Sequence, residues 1–330
     1  MERKVVVVTG ASAGVGRATV RAFAAKGFDV GLIARGQAGL AGARRDVEAC
    51  GRRPLEISAD VADAQAILDA AYAIERELGP IEVWVNNAMT SVFAPFWEIS
   101  PDEYRRVTDV TYHGAVNGTR AALRHMRPRN RGTIVMVGSA LAYRSIPLQS
   151  AYCGAKSAVV GFTDSVRGEL LHEGSSIKIT AVHLPAINTP QFRWVRSRLP
   201  REAQPVPPIY QPELAAEAIV WAAEHDRREV HLAAPTAAAI LGQQLVPALL
   251  DRYLTSAWEG QMTDQPRDAD RADNLFAPVE GDHGAHGAFD ERARRDSPYW
   301  TWDRNRLPLT AALIAVGALA GAVALLRPRR

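Results

Sequence analysis

The chain has 330 residues, of which 47% are hydrophobic and 23% charged. This length and composition suit one large globular domain with appendages rather than two full domains. The net charge of +3 gives no reason to expect a nucleic-acid partner, and the two cysteines exclude a disulfide framework. The short apolar run after Lys4 leads straight into a glycine loop and lacks the features of a signal peptide. We therefore expect the main domain to lie in the reducing cytoplasm.

Short apolar runs rich in β-branched residues alternate with helical patterns along the first two thirds of the chain. The predicted strands are Lys4–Thr9, Asp29–Ala34, Pro54–Ser58, Ile81–Asn86, Gly132–Gly138, Lys178–His183 and Glu229–Ala233. The predicted helices are Gly16–Lys26, Ala38–Cys50, Asp63–Leu78, Pro101–Met126, Ser150–Glu173 and Pro212–Glu224. Near-continuous apolar strands are typical of sheets covered on both faces. The alternation predicts an α/β fold with a doubly wound, Rossmann-type parallel sheet, which we assign to residues 1–257.

Three stretches interrupt this alternation. Residues Pro185–Gln211 form a long connection rich in proline and arginine, which is typical of a lid or a disordered loop. Residues 258–306 are polar and rich in turn-forming residues, which predicts a flexible linker. His283 and His286 lie in this linker, and we interpret them as part of a solvated loop rather than as metal ligands.

Residues 307–326 contain no charged side chain, which makes them a candidate transmembrane helix. At about 1.5 Å per residue, such a helix matches the hydrocarbon layer of roughly 30 Å. Arginines flank the segment on both sides, as anchoring side chains would. Its many alanines leave two alternatives open: a soluble helix buried against a partner, and a helix lying flat on the membrane surface.

A glycine-rich sequence, Thr9-Gly-Ala-Ser-Ala-Gly-Val-Gly16, follows the first predicted strand and opens a helix. Glycines in this place allow a tight turn and a close approach of backbone amides to a pyrophosphate at the positive end of the helix. The spacing differs from that of the G-x-G-x-x-G fingerprint. By itself the motif is also compatible with a plain strand–helix turn.

The spacing Thr-Gly-x-x-x-Gly-x-Gly resembles that of the short-chain dehydrogenase/reductase family, and further motifs of that family follow in order. They are Asp60-Val61 after the third strand, Asn86-Asn87-Ala88 at the end of the fourth, Ser139 after the fifth, and Tyr152-Cys-Gly-Ala-Lys156. The resemblance spans roughly residues 3–235. It implies an enzyme that transfers a hydride between a nicotinamide dinucleotide and a carbonyl or alcohol carbon.

The second strand ends in Ala34-Arg35, where NAD-dependent enzymes of this fold carry an acidic residue that binds the ribose 2′-hydroxyl. Arg35 offers a guanidinium to a 2′-phosphate. The alternative is that Arg35 packs over the adenine or faces water. We predict NADP(H) rather than NAD(H) as the cofactor. The expected cofactor contacts are Gly10, Ser12, Gly14, Val15, Gly16, Arg35, Asp60, Val61, Asn87, Tyr152, Lys156 and Thr189.

The predicted chemistry depends on Ser139, Tyr152 and Lys156. Lys156 lies one helical turn from Tyr152, so its ammonium, with the positive nicotinamide, is expected to lower the pKa of the phenol for general acid–base catalysis. Ser139 would hydrogen-bond the reacting oxygen. Thr111 stands where the family often has a water-holding asparagine, which puts that proton relay in doubt. A lone Tyr-x-x-x-Lys pair is otherwise common on helix surfaces.

Aromatic and aliphatic residues on two loops indicate a small apolar substrate, although they would also suit loops that only need a small core. They are Leu141, Tyr143, Ile146, Phe192, Trp194 and Tyr210. Met89 and Ala186 replace glycines of the family pattern near the nicotinamide pocket. Two alternatives use the same fold: a dinucleotide-binding regulator without turnover, and a membrane-associated interaction protein. We also expect a homo-oligomer and no nucleic-acid partner.

Overall fold

Seven parallel strands form the central sheet of the protein. The computed structural model describes residues 4–305. Its sheet strands are β1 (Lys4–Thr9), β2 (Phe28–Ala34), β3 (Pro54–Ser58), β4 (Ile81–Asn86), β5 (Thr133–Ser139), β6 (Lys178–Leu184) and β7 (Glu229–His231). Their order across the sheet is β3-β2-β1-β4-β5-β6-β7. From β1 the strand order runs outward to β2 and β3 on one side, and from β4 it runs outward to β7 on the other side. This reversal of strand order is typical of a doubly wound sheet, so the fold prediction is confirmed.

The strand β1 shows why the predicted strands are apolar throughout. Val6 and Val8 belong to the hydrophobic core on one face of the sheet, whereas Val5 and Val7 belong to the core on the other face. Successive side chains of a strand point to opposite faces, so a sheet with helices on both sides needs apolar residues at every position.

Helices cover both faces of the sheet. They are α1 (Gly14–Ala25), α2 (Gln37–Ala49), α3 (Ala64–Leu78), α4 (Pro101–Thr108), α5 (Gly114–Met126), α6 (Ser150–His172), α7 (Pro212–Glu224), α8 (Ala234–Leu245), α9 (Pro247–Leu254) and α10 (Ala257–Gly260). The capping box of Ser100 and Glu103 begins α4. The predicted helix Pro101–Met126 is interrupted by a π-helical turn at Asp109–His113. The sequence patterns did not identify α8, α9 or α10.

The connection between β6 and α7 is neither a free lid nor disordered, because it forms short strand pairs. Arg201–Ala203 pairs antiparallel with Met262–Pro266. Ile209–Tyr210 lies between Ala186–Ile187 and Ala293–Arg294. Two of these partners come from the C-terminal part of the chain, so the two irregular stretches stabilise each other.

The prediction of a flexible linker at residues 258–306 is corrected by these pairings and by burial. The side chains of Leu275 and Trp300 are 0% and 1% exposed. Burial of these two side chains against the domain contributes favourable free energy to folding. They lie too far apart in the sequence to give a periodic apolar pattern. The candidate transmembrane segment 307–326 lies outside the described residues. Within residues 4–305, no helix combines the length and the apolar character that crossing a membrane requires.

Candidate active site

The glycine loop between β1 and α1 has the geometry of a phosphate cradle. Gly10 and Gly14 have φ angles of +68° and +57°, a region that favours glycine. A Cβ atom on Gly16 would lie 2.0 Å from the carbonyl oxygen of Gly10. Side chains are therefore excluded where the loop turns into the helix, and the backbone there lies at the positive end of α1, where an anionic group is favoured. The loop thus fits the pyrophosphate of a dinucleotide.

Asn87 fixes the end of β4 against this loop. Its side-chain amide donates to the carbonyl oxygen of Thr9 at 2.9 Å. In return, the Thr9 hydroxyl accepts from the backbone amides of Asn87 at 3.0 Å and Ala88 at 3.2 Å. The Asn-Asn-Ala sequence therefore connects the carboxyl ends of the two central strands, where ligands bind in open α/β sheets.

A cleft of about 570 Å³ opens at this edge of the sheet. It is lined by the predicted site residues Gly10, Ser12, Gly14, Val15, Arg35, Asp60, Val61, Asn87, Ser139, Tyr152, Lys156 and Thr189. Gly16 and Thr111 do not line it. The fold thus brings residues from along the whole Rossmann domain to one cavity.

Ser139, Tyr152 and Lys156 meet at the inner end of the cleft. Ser139 ends β5, and its hydroxyl accepts from the Leu141 amide at 3.1 Å. Tyr152 and Lys156 lie one turn apart on α6, with the Lys156 Nζ atom 5.7 Å from the centre of the tyrosine ring. That ammonium donates to the carbonyl oxygen of Val137 at 2.7 Å, which holds it beneath the cleft.

The electrostatics of this group differ from the sequence prediction. Burial raises the pKa of Tyr152 above its usual value, although a hydrogen bond with Ser139 opposes the shift. Burial also lowers the pKa of Lys156 to about 8. The protein groups alone therefore do not lower the pKa of the phenol. A nicotinamide dinucleotide in the cleft would supply the hydride and, when oxidised, a positive charge that favours the phenolate.

Thr111 lies in the π-helical turn and is 1% exposed. Its hydroxyl donates to the Thr90 carbonyl oxygen at 3.0 Å and accepts from the Thr90 amide at 3.2 Å. The single hydroxyl proton is therefore already used to hold the segment that follows β4. Any water bound by Thr111 would have to donate to its remaining lone pair.

At the end of β2, Arg35 lines the cleft and has partners that the sequence did not predict. Its guanidinium donates to the carbonyl oxygens of Asn274 at 2.5 Å, Phe276 at 3.1 Å and Leu275 at 3.4 Å. Both alternatives weighed from the sequence, packing over adenine and facing water, omitted this contact. Arg35 thus connects the end of β2 to the C-terminal segment.

Asp60 is also paired at this end of the cleft. Its carboxylate accepts from Arg106 and, at 3.0 Å, from the Ala62 amide. Although burial opposes ionisation, these hydrogen bonds lower the pKa of Asp60. The carboxylate is therefore charged and fixed in the wall of the cleft.

The C-terminal segment forms part of the cleft wall, which the sequence analysis missed. Its lining residues are Asn274, Pro278, Val279, Gly281 and His283. Asp282 binds the Arg17 guanidinium at 2.8 Å, and the Gly284 carbonyl oxygen accepts from the Gly14 amide at 3.0 Å. Only isolated apolar residues such as Leu275 distinguish this segment from a solvated linker in the sequence.

The predicted apolar residues divide into two groups. Leu141, Ile146, Phe192 and Trp194 line the cleft, as do Met89 and Ala186. Tyr143 and Tyr210 do not. Helices α8 and α9 add Thr236, Ala239, Tyr253 and Leu254, which the sequence did not indicate.

His286 lies between two carboxylates. Its ring nitrogens lie 2.8 Å from Glu213 Oε1 and 2.7 Å from Asp290 Oδ1. Burial opposes protonation, but these two carboxylates raise the pKa of His286. A protonated ring can donate from both nitrogens, and the two contacts have the lengths of hydrogen bonds.

Glycine loop, cleft and Ser-Tyr-Lys group together define a dinucleotide-dependent oxidoreductase. The family model described as short chain dehydrogenase matches residues 4–199. The chain belongs to the short-chain dehydrogenase/reductase family and is an enzyme of that family.

Individual proteins show how far the similarity extends. An uncharacterized oxidoreductase, YxnA of Bacillus subtilis, is 31% identical over 329 residues, covering 98% of this chain and 91% of that protein. A short-chain dehydrogenase/reductase of Burkholderia phymatum in complex with NAD has a TM-score of 0.67 at 21% identity, covering 76% of this chain and 95% of that one. An alcohol dehydrogenase of Thermococcus sibiricus complexed with 5-hydroxy-NADP has a TM-score of 0.60 at 24% identity, covering 70% and 95%. Both structures support the fold.

Proposed function

We propose that this enzyme transfers a hydride between NADP(H) and a carbonyl or alcohol carbon of a small apolar substrate. The observation that carries the proposal is the convergence of Ser139, Tyr152 and Lys156 on the cleft that begins at the glycine loop. In the reducing direction, Tyr152 gives its proton to the carbonyl oxygen as the hydride reaches the carbon. Ser139 donates a hydrogen bond to the same oxygen and holds the substrate against the phenol.

The high pKa of Tyr152 suits this direction, because a buried phenol arrives at the reaction protonated. Lys156 holds a positive charge beneath the phenol at neutral pH, since its pKa of about 8 leaves most of the amine protonated. That charge stabilises the phenolate left after proton transfer. The apolar walls supplied by Ile146, Phe192 and Trp194 favour a substrate with an apolar body.

The preference for NADP(H) is supported by the end of β2, where Ala34 supplies no carboxylate for a ribose hydroxyl. Arg35 borders the adenosine end of the cleft, although three backbone carbonyls now occupy its guanidinium. Backbone carbonyls are neutral partners, and a dianionic phosphate is a stronger acceptor for an arginine. Rotation of this side chain towards a 2′-phosphate would therefore gain charge-assisted hydrogen bonds.

The chemistry is tested with purified full-length protein, NADPH and a panel of aldehydes, ketones and quinones. Tyr152→Phe should reduce turnover at least about a hundredfold, the scale expected for a lost general acid, while NADPH still binds. The matched control is Tyr72→Phe, which removes the same atom from a half-exposed ring outside the cleft. Most of the activity remaining in Tyr152→Phe would refute the mechanism. Binding of NADPH without turnover of any substrate in the panel would favour a regulator.

Cofactor preference is tested by comparing kcat/KM for NADPH and NADH. Arg35→Asp should move the preference towards NADH, because it removes a cation and adds an acceptor for a ribose hydroxyl. Arg76→Asp makes the same charge change on an exposed side chain away from the cleft and should leave the preference unchanged. A parent enzyme that already prefers NADH would contradict the role given to Arg35.

We further propose that the enzyme is cytoplasmic and forms a homo-oligomer. We also propose that it attaches to a membrane through residues 307–326. Leu241, Leu245 and Leu249 on α8 and α9 are 56–69% exposed, which adds an apolar surface near the mouth of the cleft. Cells expressing the full chain or a version ending at Arg306 are fractionated, and the membranes are washed with carbonate. Recovery of both proteins in the supernatant would refute the attachment.

A further inference from the structure

A cluster of two histidines and one glutamate lies at the edge of the sheet that ends in β7. His183 in β6 stands directly beside His231 in β7, and Glu229 lies two residues before His231. Because side chains alternate along a strand, all three residues are on the same face of the sheet. One nitrogen or oxygen atom from each lies within 4.8 Å of the other two.

Four separations among the candidate ligand atoms are close to those of a tetrahedral metal site. Ligands about 2.0–2.1 Å from a zinc ion stand about 3.3–3.4 Å apart at the corners of a tetrahedron. Glu229 Oε2 lies 3.7 Å from His183 Nε2 and 3.7 Å from His231 Nε2. The Tyr143 hydroxyl lies 3.0 Å from Glu229 Oε2 and 3.4 Å from His183 Nε2, beside the fourth corner. Movements of a few tenths of an ångström would bring these edges to the expected length.

The cluster is buried and its members are not in direct hydrogen-bond contact. His183 is 1% exposed, and Glu229 Oε2 lies 3.7 Å from the nearest nitrogen of each histidine, beyond hydrogen-bond distance. His286 differs in kind, because its two carboxylates lie at hydrogen-bond distance, 2.8 Å and 2.7 Å from its ring nitrogens.

Two cations nearby define the limits of the site. Arg228 contacts Glu229 through the other carboxylate oxygen, Oε1, at 3.3 Å, so Oε2 still faces the histidines. The ammonium of Lys156 is near enough to His183 to act on it electrostatically and would weaken the binding of a cation. None of His183, Glu229, His231 and Tyr143 lines the catalytic cleft.

We propose that His183, Glu229 and His231 bind one divalent zinc-like cation, with Tyr143 at the fourth position. Tyr143 lies in the loop that follows Ser139 and β5, and Glu229 and His231 belong to the edge strand β7. The ion would thus tie the loop after β5 to β7 and stabilise the wall beside the active site. The proposal concerns structure and holds whichever cofactor or substrate the enzyme uses.

The test begins with untagged full-length protein that has been treated with EDTA and dialysed. Isothermal titration with ZnCl₂ should show one equivalent bound, and zinc should raise the Tm. His231→Gln and Glu229→Gln should each weaken zinc binding at least about tenfold. Loss of a residue that only supports a metal ligand already weakens metal binding by about tenfold or more, and loss of a ligand should have at least that effect. His286→Gln is the matched control and should bind zinc like the parent protein.

Titration of the parent protein with CoCl₂ gives a second measurement that needs no variant to fold. A tetrahedral site should produce the intense visible absorption of four-coordinate cobalt, and zinc should abolish it. Absence of stoichiometric zinc binding, or equal binding by the parent and a folded His231→Gln protein, would overturn the proposal. Cobalt absorption typical of six-coordinate, exposed sites would do the same and indicate an adventitious ion only.

Discussion

Replacement of Trp300 by alanine tests whether the C-terminal segment is part of the folded domain. The Trp300 side chain is 1% exposed and joins the hydrophobic core on one face of the sheet. Its ring packs edge-on against Trp221 with 5.4 Å between ring centres, and its indole N–H donates to Glu217 at 3.2 Å. Arg304 also binds Glu217, so that carboxylate keeps a partner in the variant.

Removal of a fully buried tryptophan costs about 3–5 kcal/mol of folding free energy. At roughly 2 °C per kcal/mol for a domain of this size, Trp300→Ala should lower the Tm by about 6–10 °C. Trp302→Ala is the matched control: its side chain is 48% exposed, and we expect a loss of no more than about 1 kcal/mol. Urea unfolding followed by circular dichroism and thermal unfolding measure both variants. Equal stability of the two variants would refute the burial of Trp300 in the core and would support a flexible linker instead.

Three further predictions concern charged groups. Burial lowers the pKa of Lys156 to about 8, so its charge is lost as the pH rises through 8. The Kd for NADPH, measured by fluorescence titration, should therefore increase above this pH in the parent protein. In Lys156→Ala the Kd should not change with pH in this range. Asp282→Asn should weaken the contact with the buried Arg17 and speed proteolysis within residues 270–290. Asp264→Asn, which changes a fully exposed side chain, should leave the rate of proteolysis unchanged. An unchanged rate in Asp282→Asn would contradict the idea that Asp282 holds the C-terminal segment on the domain. Burial opposes ionisation of Glu103, but Arg198, the Ser100 amide and Arg196 lower its pKa to about 2. The ionised carboxylate therefore stabilises the folded protein above pH 4.5, and this stabilisation is lost as the pH falls towards 2. In Glu103→Gln the stability should depend less on pH over this range, and an unchanged acid unfolding curve would refute the contribution.

The sequence by itself determined the sheet and identified the glycine loop and the Ser139, Tyr152 and Lys156 group. Local patterns carry this information, because a strand buried on both faces must be apolar throughout, and a phosphate loop needs glycines where Gly10, Gly14 and Gly16 stand. The spacing of Tyr152 and Lys156 likewise fixes their common helix face without any tertiary contact.

Tertiary structure decided which groups surround those residues. Arg35 binds carbonyl groups about 240 positions later in the chain, a partnership with no local signature. The phenol of Tyr152 gains a raised pKa because burial removes water, and sequence spacing shows only that Lys156 is near. Leu275 and Trp300 become core residues because the chain folds back on itself. Burial and long-range contacts are properties of the packed chain, so local sequence patterns could not supply them.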